Sequence, residues 1–386
     1  MRSRRCVVIA PFDPTERNDA TGLGATRKIA GVVRMFCDQG WQVVVVDSAH
    51  SHEGKRSTLV RRLKVDDSRS VALISPATSA KRSLGKLLQL FVAGAFARRL
   101  ARHRCDLVWI YNGYAFEALF ARAFLGRCRA PLVVELEDWP LARSRGWRGV
   151  KNLLDWIGLR WSLGRAAIVT CVNDALAGRP GVGSKALSFP GLVEVSGKDC
   201  KEPFKNDSVR LGYFGGLHPE KGAHLLLELV PRLRSGWKMV VTGDGPLAED
   251  FRYAAVAHPE KLEFHGIVPG EAIEKLQRGC DAYLNPHRSI AAMGDGVFPF
   301  KVFEYLSHSR PVISTALPAV TPDVRPAILL IEPTLQSLEA AVRGLPAFWS
   351  QHHDEIRNVC REVRTHFTRS AVYARIIARL GLKSAE

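Results

Sequence analysis

The chain has 386 residues, 46% hydrophobic and 24% charged, a globular composition too long for one ordinary core, so two domains are expected. Its net charge of +17 is concentrated early: residues 1–200 hold 32 Lys and Arg against 17 Asp and Glu, whereas the rest hold 23 against 21. The eight cysteines form no C-x-x-C pair, so neither a zinc site nor a disulfide framework is indicated and a reducing compartment fits; no segment approaches the ~18 uninterrupted apolar residues of a membrane span.

The N-terminus is basic and then apolar, but Cys6–Ala10 is shorter than the ~7 residues a signal core requires and reads as a first buried strand. A second strand is expected at 42–47. Between them the turn around Gly22 and Gly24 opens a helix ending at Gly40, a βαβ unit with a possible phosphate or sugar site, although the two glycines lack full G-x-G-x-x-G spacing and a plain turn explains them equally. The polar, basic stretch 51–82 holds a possible strand at 71–74. A helix over 84–104 carries Leu84, Leu87, Leu88, Phe91, Ala95 and Phe96 at helical spacing, flanked by Arg98, Arg99 and Arg102. That pattern fits either an interfacial membrane helix or one packed on its own sheet.

Strands at 106–111 and 131–136, separated by a helix, continue the parallel rhythm. The second runs into Glu135-Leu136-Glu137-Asp138-Trp139-Pro140. Ligands of open α/β sheets bind at the carboxyl ends of strands, which makes Glu137 and Asp138 site candidates; helix capping is the structural alternative for Asp138. Residues 139–165 mix Trp139, Trp147, Trp156 and Trp161 with arginines and lysine, a second candidate for membrane or lipid-phosphate contact, though aromatic-basic mixtures also serve nucleic-acid binders. A strand at 167–172 follows, and 194–209 reads as a linker.

The second half restarts the rhythm. Strand 209–214 leads through Gly215-Gly216-Leu217-His218-Pro219-Glu220-Lys221-Gly222 into a helix over 223–233; strand 238–242 ends in Gly243-Asp244-Gly245-Pro246. Further strands are expected at 262–266, 281–286 and 311–315, with a helix over 271–278. The stretch Phe298–Ser307 takes a proline-containing loop into a short helix with Lys301 and Glu304 on one face. A helix N-terminus and a lysine suit phosphate oxygens, and a carboxylate suits a ribose diol. Residues 338–379 read as helices.

Taken in order, Gly215-Gly216-x4-Lys221-Gly222, Gly243-Asp244-Gly245-Pro246-Leu247, Phe264-His265-Gly266, and Pro299-x-Lys301-x2-Glu304-Tyr305-Leu306 with Arg310-Pro311-Val312-Ile313 resemble the donor-binding domain of the retaining bacterial glycosyltransferases of family four (group 1). The likeness is strong over 210–320 and only one of pattern in the first half. It implies a GT-B fold: two Rossmann-like, doubly wound parallel-sheet α/β domains facing a central cleft. The first spans 1–200, with a C-terminal helix at about 370–386 packing back on it, and the second spans 201–369.

The resemblance implies a donor diphosphate contact for Lys221, a ribose contact for Glu304, and donor-side positions for Gly215, Gly216, Gly243, Gly245, Asp295 and Lys301. Gly22, Gly24 and Asp138 fall on the acceptor side. Gly216 stands where the family often has arginine, so Lys301 or Arg288 is expected to complete the phosphate grip. Gly296, beside Asp295, stands where it has the first glutamate of its Glu-x7-Glu pair, and Glu137 where a histidine contacts the donor sugar.

The implied reaction is retaining transfer from a nucleotide-diphosphate sugar to a lipid-linked or saccharide acceptor in cell-envelope glycan synthesis, with Lys221 and the Gly215 and Gly216 amides stabilising the leaving phosphate and Glu137 orienting hydroxyls. No metal or other cofactor is expected. The basic first half points to an anionic membrane surface and a cytoplasmic, peripheral location. A nucleotide-sugar epimerase or phosphorylase on the same architecture is the alternative enzyme, and a basic nucleic-acid-binding protein the alternative of another class, with no nucleic acid expected on the preferred reading.

Overall fold

Runs such as Arg5-Cys6-Val7-Val8-Ile9-Ala10 and Leu132-Val133-Val134-Glu135-Leu136 are apolar on both faces, as expected of parallel strands covered by helices on each side. A computed structural model describes residues 3–12, 23–48, 59–65, 69–75, 94–102, 104–140, 147–193, 203–204, 208–268, 270–288, 300–317, 320 and 322–382. The chain divides into two units, Met1–Leu192 with Arg369–Glu386, and Val193–Thr368.

In the first unit the elements run β1 (Arg5–Ala10), α1 (Leu23–Asp38), β2 (Gln42–Asp47), β3 (Leu59–Lys64), β4 (Ser70–Ser75), α2 (94–100), β5 (Leu107–Tyr111), α3 (Ala115–Leu125), β6 (Leu132–Leu136), α4 (Trp147–Arg165), β7 (Ile168–Cys171), α5 (Asp174–Ala177) and β8 (Ala186–Ser188). The sheet order is β3-β4-β2-β1-β5-β6-β7-β8, with every pairing parallel except β3 on β4. Strand β3 was not expected: Arg61, Arg62 and Lys64 make Leu59–Lys64 read as polar chain, yet charges are what an edge strand carries.

The last helix, Arg369–Arg379, closes this unit by burying Val372, Tyr373, Ile376 and Ile377 in its core. Its Tyr373 hydroxyl accepts a 2.9 Å hydrogen bond from Trp41 Nε1, and its ring meets Phe36 edge-on at 6.0 Å.

The described part of the expected 84–104 helix is 94–100; the rest of Leu84, Leu87, Leu88 and Phe91 lies outside the described residues. In that part Ala97 is fully buried and Phe96 packs edge-on against Phe120 of α3 at 6.3 Å, whereas Ala95, assigned to the apolar stripe, is exposed. These turns use their apolar side to pack on their own domain.

The second unit holds β9 (Val209–Phe214), α6 (Ala223–Leu229), β10 (Trp237–Thr242), α7 (Ala248–Ala257), β11 (Leu262–Phe264), α8 (Gly270–Arg278), β12 (Ala282–Asn285), α9 (Lys301–Leu306), β13 (Val312–Thr315), β14 (Ile328–Ile331) and α10 (Leu335–Phe367). Its sheet is wholly parallel in the order β11-β10-β9-β12-β13-β14. Helix α6 stops at Leu229, short of the expected 233, because Pro231 lacks the N–H that would continue it; a 3-10 turn over Val230–Arg232 follows.

Candidate active site

In each sheet the strand order reverses beside its first strand, between β1 and β5 and between β9 and β12. Ligands of open parallel sheets collect outside the carboxyl ends of strands at such a point.

In the second unit the loops there are Gly215–Lys221 after β9 and Pro286–Arg288 after β12. They are locked together: Arg288 N–H donates to Glu220 O at 3.0 Å, and a Cβ on Gly222, at φ 75°, would fall 1.8 Å from Pro286 O. Two lysines converge on the first loop. Lys301 Nζ lies 1.1 Å from where a Cβ on Gly215 would stand and 5.4 Å from the Tyr213 ring centroid; Lys221 Nζ lies 2.9 Å from the same point on Gly216.

His287, missed by sequence reasoning, completes this basic cluster. Burial first, and then the ammonium charges of Lys301 and Lys221, lower its pKa to about 4, so the imidazole is neutral at pH 7. Its Nδ1 is buried and has no hydrogen-bond partner. The signal available in the sequence was its position, two residues past the end of the strand that adjoins β9.

Helix α9 is fixed by Tyr305, whose hydroxyl accepts from Phe214 N–H at 2.9 Å and whose ring stacks on Tyr283 at 4.4 Å. Lys301 therefore reaches the Gly215 loop from a rigid base. One turn on, Glu304 Oε1 accepts a 2.9 Å hydrogen bond from Gln277 Nε2 of α8, a second residue the sequence did not single out. At six residues α9 is too short to act as a dipole in its own right, so the positive character comes from the lysines.

One expectation for this loop changes. Gly215 N–H donates to Thr242 O at 2.9 Å inside the sheet, so this amide is not available to a phosphate. The space a Cβ would occupy on Gly243, at φ 134°, is filled by Gly215 O at 1.9 Å, and that on Gly245 by Leu217 O at 2.6 Å. These glycines let two loops pack closely. Asp295 and Gly296 lie outside the described residues.

In the first unit Glu137 and Asp138 follow β6. Asn112, at the end of β5 with φ 55°, holds that loop: its Oδ1 accepts from the N–H groups of Glu137 (2.7 Å) and Asp138 (3.0 Å), and its Nδ2 donates to Asp138 Oδ2 at 3.4 Å. Asp138 thus closes a turn with Asn112, and no helix begins at 138–140 for it to cap.

Glu137 is bonded to Lys28 of α1, whose ammonium also lies 3.2 Å from Glu135 Oε1 and 4.5 Å from the Phe189 ring centroid. Burial pushes the Glu137 carboxyl above its ordinary range while Lys28 pulls it down. Burial alone would lower the Lys28 pKa, but Glu137 and Glu135 outweigh it and keep the ammonium charged. Glu135, fully buried, accepts from Trp109 Nε1 at 2.7 Å.

Sequence reasoning missed Lys28 and Asn112, though a lysine beside the buried stripe Ile29, Val32, Val33 and Phe36 was a signal. Gly22 lies outside the described residues, and Gly24 is placed only as the second residue of α1. Among the described residues no cluster of three or more His, Cys, Asp or Glu could hold a metal ion, and no helix is long and apolar enough to cross a membrane.

Residues 208–347 match the family described as "Glycosyl transferases group 1", and residues 24–179 match "Glycosyl transferase 4-like domain". No curated protein sequence matches the chain. Among solved structures it resembles sucrose-phosphate synthase from Thermosynechococcus elongatus (TM-score 0.65, 14% identity, 98% of each chain covered). It also resembles Anabaena HepE in complex with UDP and glucose (0.62, 14%, 98% of this chain and 99% of that one) and the lipopolysaccharide outer core galactosyltransferase WaaB (0.59, 13%, 98% and 99%). Two parallel-sheet units of this order, with likenesses running nearly end to end, define the GT-B fold, and the two family matches define a glycosyltransferase. The chain belongs to the group 1 glycosyltransferases, with a family-four-like first domain.

Proposed function

We propose that the protein is a retaining transferase that moves a sugar from a nucleotide-diphosphate donor to a lipid-linked or polysaccharide acceptor in cell-envelope glycan synthesis, working at the cytoplasmic face of an anionic membrane. The observation that carries the donor half is the convergence of Lys221 and Lys301 on the Gly215-Gly216 loop, with Glu304 one turn beyond Lys301. Two ammonium groups and a neutral imidazole suit a diphosphate, and a carboxylate on the same short helix suits the ribose diol.

The costly event is departure of the nucleotide diphosphate from the anomeric carbon. Lys221 and Lys301 stabilise the charge that develops on the leaving oxygen. The acceptor hydroxyl attacks from the same face and passes its proton to that phosphate, so no protein nucleophile is required. On this reading Lys301 takes the place of the absent arginine at Gly216, and Glu137 and Asp138 orient acceptor hydroxyls. The nucleotide sugar is a substrate, and no resident cofactor or metal is invoked.

Thermal stabilisation by UDP-, GDP- and ADP-sugars tests the donor half, since a ligand that binds only the folded state raises Tm. One of the three is expected to raise Tm in a concentration-dependent way; no shift with any of them would count against it.

A further inference from the structure

Eight large hydrophobic residues are exposed among those described, and four of them lie on α4: Val150 (46% exposed), Leu153 (56%), Trp156 (41%) and Ile157 (51%). At ~100° per residue they fall within an arc of roughly 120° on the helix. Arg160 lies inside that arc with its guanidinium over the Trp156 ring at 4.9 Å, and exposed Arg165 lies beside its Val150 edge. The only carboxylate on the helix, Asp155, is buried on the other side, where it pairs with Lys151. The exposed face therefore presents apolar side chains and cations, with no acid.

The opposite face is fastened down. A Cβ on Gly158 would fall 2.7 Å from Ala115 N, Ser162 Oγ donates to Gly113 O at 3.0 Å, and Asp155 Oδ1 accepts from Ala115 N–H at 3.4 Å. The segment Gly113–Ala115 follows directly on Asn112, which holds the Glu137-Asp138 loop. The apolar face is thus a rigid outward surface of the domain, one turn of chain from the acidic loop.

We propose that this face of α4 seats on an anionic lipid bilayer, with Val150, Leu153, Trp156 and Ile157 entering the headgroup boundary and Arg160 and Arg165 meeting lipid phosphates. Tryptophan favours that boundary, and a cationic rim adds attraction to anionic lipid. Charge decides between occupants. A second copy packed face to face would set Arg160 and Arg165 against themselves, whereas an anionic surface complements both the rim and the excess of 32 basic over 17 acidic residues in 1–200. The inference names the membrane partner of the function proposed above and rests on that reading for its meaning. It places the contact on α4, within the 139–165 stretch that the sequence offered for membrane or lipid-phosphate contact.

The test is sedimentation of the full chain with vesicles of phosphatidylcholine alone or mixed with phosphatidylglycerol. Wild type is expected to bind the mixed vesicles and not the neutral ones. Leu153→Ser with Ile157→Ser should weaken that binding on the order of a hundredfold, about tenfold per buried aliphatic side chain. Arg160→Gln with Arg165→Gln should weaken it on the order of tenfold or more and flatten its salt dependence.

All four positions are exposed, and an unchanged melting curve shows that the variants fold. Wild type failing to bind either vesicle, or the double Ser variant binding like wild type, overturns the inference. So does a dimer in solution that the double Ser variant disperses. Nucleotide affinity, measured in parallel, belongs to the second unit: loss of vesicle binding with that affinity intact bears on α4 alone, whereas no nucleotide binding in wild type would count against the donor reading.

Discussion

Replacing Glu304 by Ala removes the carboxylate assigned to the ribose diol and one internal hydrogen bond, that from Gln277 at 2.9 Å. Hydrogen bonds to charged groups contribute ~1.5–3 kcal/mol each, so losing two to a diol costs at least ~3 kcal/mol, or about two orders of magnitude in Kd at ~1.4 kcal/mol per tenfold. The stability cost is separate. Gln277 is 2% exposed and loses its partner, which costs ~1–3 kcal/mol and lowers Tm by a few degrees for each kcal/mol in a unit of this size.

Calorimetric titration of the nucleotide that stabilises wild type, run with a melting curve, separates the two effects. Gln277→Met is the control: it removes the same internal hydrogen bond while keeping the carboxylate, and should retain nucleotide binding at a lowered Tm. Wild-type affinity in a folded Glu304→Ala protein would refute the ribose assignment.

Lys221→Ala and Lys301→Ala should each weaken nucleoside diphosphate binding by about 10- to 100-fold while leaving the affinity for the bare nucleoside within about twofold, as calorimetry with both ligands reads. Lys28→Met should destabilise the first unit by ~3–5 kcal/mol, because it strands the buried Glu135 carboxylate and the half-buried Glu137 beside it; partial recovery of Tm by the further change Glu135→Gln would confirm that cause, and a neutral Lys28→Met would contradict it. Burial pushes the Glu117 carboxyl up to about 7. Between the unfolded value near 4.5 and that value the native state holds the proton longer, so this group's contribution to stability falls as pH rises through that window and is constant above it. Denaturant titrations should show Glu117→Gln lacking that component of the slope, on the order of 3 kcal/mol across the window.

The parallel rhythm was legible because strands buried on both faces leave continuous valine and isoleucine runs, as at β1, β2 and β6. Strand β3 was not, since an edge position tolerates the charges that disguise it, and the stretch holding α4 was read as a tryptophan-arginine mixture suited to membrane or lipid-phosphate contact without its helix being seen. At the site, Lys221, Lys301 and Glu304 were visible as a spaced motif. Gln277, His287, Asn112 and Lys28 were not, because each matters through a neighbour distant in sequence: Gln277 through Glu304, His287 through two lysines, Asn112 through the loop after β6, Lys28 through Glu135 and Glu137. Glycines are the opposite case. Gly215 and Gly243 stood out at once, but only the fold shows that they pack against one another.

Sugar transfer itself is tested most directly by incubating the full chain with UDP-, GDP- and ADP-sugars and a bacterial lipid extract, followed by mass spectrometry of the lipid fraction and NMR of the product's anomeric proton. The predicted result is one sugar added to a lipid acceptor, release of the nucleoside diphosphate, and the donor's anomeric configuration in the product, with the signal lost in Lys221→Ala. Free sugar or an epimerised donor with no glycosylated acceptor would contradict transfer, and an inverted anomeric centre would contradict the retaining mechanism.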